Sequence, residues 1–146
     1  MGDIYADTNF ILTNIKKIYH ILKKNYFRIG KDIEFDISLK RLMKFFNLGT
    51  NELALFCTLF EVYFLYNESP ISIGLIADEM SINPLRCLEF RDEFKLLEEK
   101  GFIYFDSSEK TSSFSKFYRV PEGVINAIIK KDEKLLSGIM YCFECG

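Results

Sequence analysis

Over residues 8–26 the apolar positions Leu12, Ile15, Ile18, Tyr19 and Leu22 recur at helical spacing, with Lys16, Lys17, Lys23 and Lys24 between them. That period predicts an amphipathic helix buried along one stripe. Its cations crowd into the second half, where the helix dipole favours them, and Gly30 is its expected stop. Residues 32–37 alternate weakly and read as either a short strand or an extended connection. Residues 39–46 read as a short helix with Lys40, Arg41 and Lys44 outward, ended near Gly49. Thr50 then suits the N-cap of a helix over residues 51–66. Of the fourteen residues 53–66, all but Thr58 and Glu61 are apolar, so this helix is expected at the centre of the core.

After a turn at residues 67–70, Ser72 can cap a short helix with Ile73, Ile76, Ala77 and Met80 on one face, and Ile71 and Ile76 are placed for a hydrophobic staple. Ser81 and Ile82 make a tight connection. Asn83 as cap and Pro84 at the first position then open a longer helix to Lys100, with Cys87, Phe90, Phe94 and Leu97 along one face and Gly101 just past its end. Residues 102–105 (Phe-Ile-Tyr-Phe) predict a strand. Ten loop residues with five serines follow, and residues 116–120 predict a return strand that alternates Phe117 and Arg119 against Tyr118 and Val120. Pro121 opens a last helix striped by Val124, Ile125, Ile128 and Ile129.

Helix, short helix, tight turn, longer helix and hairpin together resemble the winged helix-turn-helix fold. The stretches ISIGLIADEMSIN and FKLLEEKGFIYF are similar to its first helix and turn and to its recognition helix running into the wing. The fold expected is therefore mainly α: a three-helix core with a β-hairpin wing and additional N-terminal helices. Residues 1–48 would be a helical extension, 50–131 the winged helix and 132–146 a C-terminal tail or linker. FYRVPEGVINAIIKK also resembles the segment after the winged helix in the N-terminal region of a group of bacterial AAA-family ATPases, a likeness that covers residues 50–131. It implies an accessory module covalently linked to an ATPase domain. The sequence itself has no G-x-x-x-x-G-K-[ST]: Gly30-Lys31 lacks both the upstream glycine and the hydroxyl residue. A fold of this kind serves DNA and protein partners alike.

Charge narrows the choice without closing it. The net charge is −2, so nothing draws the whole chain to a polyanion. The expected recognition helix sets Arg86, Arg91, Lys95 and Lys100 against Glu89, Asp92, Glu93, Glu98 and Glu99, four cations against five anions. A DNA-binding regulator is the alternative reading, with Arg86, Arg91, Lys110, Lys116 and Arg119 as the contacts to phosphate and base. A basic run on the first helix reads first as a solvated face. For protein binding, Phe114 among serines is either an exposed anchor or folded back on the core. A homodimer through the first helix is a further expectation.

Chemistry is sparse. Cys142 and Cys145 form a terminal C-x-x-C, two ligands where a closed zinc site needs four, so no metal and no cofactor is expected. His20, the single histidine, sits within a helical pattern and reads as a surface residue rather than a base. The expectation is a non-catalytic module. With Cys57 and Cys87 read as buried apolar residues, no signal segment and no stretch of about 20 apolar residues, the chain reads as cytoplasmic, with no membrane span.

Overall fold

A computed structural model of the chain describes residues 9–30, 32–105 and 117–131. Among these are six α-helices and a three-stranded antiparallel sheet. The helices are α1 (Phe10–Lys24), α2 (Ile33–Met43), α3 (Thr50–Leu65), α4 (Ile73–Met80), α5 (Arg91–Glu99) and α6 (Glu122–Ile129). The strands are β1 (Ile71–Ser72), β2 (Tyr104–Phe105) and β3 (Phe117–Arg119).

The apolar stripe of α1 is buried as its spacing demands, with Ile11, Ile15, Ile18 and Leu22 fully covered. Asn9 accepts from the Ile11 and Leu12 amides at 2.9 and 3.2 Å and starts the helix. The segment read as strand or extended connection is helical. Asp32 accepts from the Phe35 amide at 3.0 Å, and Phe35, Ser38, Leu39 and Leu42 face inward at i, i+3, i+4 and i+7. The weak alternation at 32–37 was the first turn of that longer period. α3 begins at its expected cap, one residue early. Gly49 is the cap and Thr50 the first helical residue, while the Glu52 carboxylate fills the space beside Gly49 that a Cβ would occupy. As expected, α3 is surrounded: Leu53 to Phe60, without a break, are buried.

Four helix ends share one device. A residue in left-handed conformation stands at the cap or just after it, at Tyr26 (φ 54°), Asn67 (φ 56°), Ser81 (φ 56°) and Gly101 (φ 82°). The next amide then reaches back five residues: Phe27 to Leu22 (2.7 Å), Glu68 to Tyr63 (2.8 Å), Ile82 to Ala77 (2.9 Å) and Phe102 to Leu97 (3.0 Å). This six-to-one bond satisfies an otherwise orphaned carbonyl. The first helix thus stops at Lys24 and not at Gly30.

The hairpin pairs as its alternation requires, Tyr104 with Arg119 and Phe105 with Tyr118. A third strand joins it: Ile71 and Ser72 pair with Tyr118 and Phe117, giving the order β1-β3-β2. One hydrophobic cluster, from Ile11 to Ile128, holds all six helices together.

Candidate recognition surface

The segment expected as a single helix from Pro84 to Lys100 is two structures in series. Residues Pro84–Phe90 form a 3₁₀ helix, and α5 continues from Arg91. In 3₁₀ geometry side chains three apart eclipse one another, so this stretch sorts into three rows. Cys87 and Phe90 point into the core. Arg86 and Glu89 form a sideways pair at 3.5 Å. Leu85 and Leu88 make the outward row, 65% and 39% exposed, and Arg91 continues it.

Behind that outward row lies a cleft of about 290 Å³, lined by Ile73 of α4, by Cys87 and Leu88, by Arg91, Phe94, Lys95 and Glu98 of α5, and by Tyr118 of β3. The Tyr118 ring stacks on Phe94 with centroids 5.1 Å apart. Burial, with the Glu98 carboxylate beside its hydroxyl and hydrogen-bonded to it, holds the phenol protonated far above the ordinary range. Glu98 is thereby turned inward, and the exposed cations of this face are Arg91 and Lys95, one helical turn apart. Burial pushes the Cys87 thiol up to about 11. That keeps it a packing group rather than a nucleophile.

The residues expected to touch a partner separate on these grounds. Arg86 is occupied: its guanidinium donates to the Tyr26 and Phe27 carbonyls at 2.8 and 3.3 Å, where α1 turns back. Arg119 donates to the Glu68 carbonyl at 3.3 Å. Arg91 stands at the cleft. Lys110, Phe114, Lys116, Cys142 and Cys145 lie outside the described residues. Sequence reasoning passed over Leu85, Leu88 and Lys95 as site residues, and also Tyr104 and Phe117, which are exposed on the small sheet. Leu85 and Leu88 carried a usable signal, two leucines three apart on the side away from Cys87 and Phe90.

Among the described residues no group of three or more His, Cys, Asp or Glu could hold a metal ion. No helix among them is long and apolar enough to cross a membrane. No family model, curated protein or solved structure matches this chain.

Proposed function

We propose that this chain is a non-catalytic recognition module of the winged-helix kind that binds a protein segment, and that it serves as an accessory N-terminal domain of a bacterial AAA-family ATPase. The succession of α3, α4, the Pro84–Glu99 helical run and an antiparallel ribbon supports the winged-helix reading. The ATPase attachment rests on the resemblance of residues 50–131. One observation carries the choice of a protein partner: the outward row of the Pro84–Glu99 helical run opens with Leu85 and Leu88, and only then reaches Arg91 and Lys95. A helix entering a DNA groove needs polar and cationic groups at that leading end. Two exposed leucines, of which Leu88 lines a concave cleft together with Arg91 and Lys95, suit a peptide with apolar anchors and acidic neighbours. The engagement of Arg86 with backbone carbonyls removes a further cation from any phosphate contact.

The test is a selection from a displayed peptide library, followed by titration of the selected peptides. The expected winners combine apolar and acidic residues. Leu88→Glu and Arg91→Glu should each weaken them about tenfold or more, roughly 1.4 kcal/mol. A parallel titration with duplex DNA at low and moderate salt should show no salt-sensitive binding. Tight binding that falls steeply with salt and is lost in Arg91→Glu would replace this reading with the DNA-binding regulator.

A further inference from the structure

The outward face of α2 is not the wholly polar one that a surface helix ordinarily turns to water. Phe35, Ser38, Leu39 and Leu42 fill its inner face, against α1 and α3. Opposite them, Ile33, Ile37, Lys40 and Lys44 fall within an arc of about 60°. Ile33 is the most exposed large apolar side chain among the described residues, at 78%, and Ile37 is 44% exposed. Exposed charges flank this stripe. Glu34 and Arg41 stand about 70–90° to one side of it, Asp36 and Met43 about as far to the other, and Lys40 leans toward Asp36. Among the described residues none of Glu34, Asp36, Lys40 and Arg41 is in an ion pair.

Acid first and base last along α2 suits its own dipole, but the dipole does not account for two exposed isoleucines on the same face. A second copy laid antiparallel does. A two-fold axis perpendicular to both helices turns each flank toward the same flank of the copy. With that axis beside Ile37 and Ser38, Glu34 comes level with the second copy's Arg41, Asp36 with its Lys40 and Ile33 with its Met43, while Ile37 meets its counterpart. Every pair lies within one residue of level, about 1.5 Å. One register thus sets opposite charges against each other on both flanks and apolar groups along the middle. A parallel copy would set acid against acid and base against base. The Lys40 and Lys44 stems can lie along the isoleucines with their ammonium groups at the rim. α1 offers no such face, because its apolar stripe is buried in its own core.

We infer that two copies of this chain pair through α2, antiparallel about Ile37, with Glu34 and Asp36 of each facing Arg41 and Lys40 of the other. A helix of 11 residues covers less than the about 1,200 Å² of a standard interface, so this dimer forms and dissociates with concentration. The inference does not depend on what the cleft at Leu88 and Arg91 binds. Sedimentation equilibrium of the full chain over a concentration series tests it. The expected mass rises from one chain toward two, and Ile37→Glu holds it at one. Glu34→Arg should weaken association about tenfold or more. Adding Arg41→Glu should restore it to within about threefold of the parent. Both swaps oppose the helix dipole, so recovery in the double variant cannot come from a steadier α2. All three positions are exposed, and circular dichroism should show the fold retained. One chain's mass at every concentration overturns the inference. So does association that survives Ile37→Glu, or a double variant as weak as Glu34→Arg alone.

Discussion

Glu79 gathers three donors from two other helical regions: the Tyr66 hydroxyl at 2.6 Å, the Tyr19 hydroxyl at 3.0 Å and the Lys23 ammonium at 3.4 Å. Those hydrogen bonds, Tyr66 first, hold its carboxyl below the ordinary glutamate value. A carboxyl whose pKa is lower folded than unfolded adds stability above its unfolded pKa, and that stability is lost as pH falls through the folded value. Glu79→Gln should therefore lower the unfolding free energy by about 1 kcal/mol at neutral pH, a modest figure because the group is partly solvated. The gap between variant and parent should close in acid, as pH falls through the lowered folded-state pKa of this carboxyl. Chemical denaturation at several pH values measures it, and a gap constant with pH would mean that packing rather than charge sets the contribution. Tyr19 responds in the opposite sense, since burial first and then the same carboxylate push its phenol far up. Nothing in the spacing of Tyr19, Tyr66 and Glu79 announces this cluster. They are 60 and 13 residues apart, and only the packing of α1, α3 and α4 brings them together.

The turn after α1 shows most clearly what a helix end requires. Tyr26 and Phe27 both have positive φ, 54° and 60°, a conformation that costs L-residues about 1–2 kcal/mol each. The turn is held by the Phe27 ring, buried against Phe90 at 4.6 Å, and by the Arg86 guanidinium on the two carbonyls. Tyr26 is well exposed, with 60% of its surface free, so its side chain contributes little to offset the strain. Tyr26→Gly should then raise the unfolding free energy by about 0.5 kcal/mol, once the greater chain entropy of unfolded glycine is subtracted. Thermal unfolding checks this, and a drop in midpoint would locate a compensating contact at Tyr26. The periodic runs were legible in the sequence because a buried helix face repeats itself over several turns, as in α1, α3, α4 and α6. The end of α1 was not, because Tyr26 adopts a glycine-like conformation with no glycine to mark it and Gly30 lies beyond the turn, whereas residues 67–70 and the Ser81-Ile82 pair did mark the turns after α3 and α4. β1 escaped notice because two residues cannot establish a period of two. The 3₁₀ stretch did as well, because Cys87 and Phe90 fit a spacing of three as readily as one of 3.6. That ambiguity hid the outward leucine row, the main part of the candidate site.

At the scale of the molecule, α1 is part of the core that also holds α3 to α6. Ile11, Ile15, Ile18 and Leu22 are fully buried, and at about 1.5–3 kcal/mol each their burial is comparable with the net stability of an ordinary domain, about 5–15 kcal/mol. Residues 50–146 expressed alone should accordingly show no cooperative thermal transition, whereas the full chain melts in one step. A sharp melt of residues 50–146 with native helicity would show that α1 and α2 are dispensable. Around this core the chain is also cinched by the pairing of β1 with β3, which joins Ile71 to Tyr118 and Ser72 to Phe117. The chain between those strands is closed at its neck by this pairing, while α4 and α5 within it are packed into the same core as α1 and α3. A tug on the two flanks is borne first by the Ile71–Tyr118 end of that ladder, and the loop goes slack or taut only after it unzips. Tension applied at residues 71 and 118 is therefore taken by that ladder and by the core before it reaches the Leu88–Arg91 face.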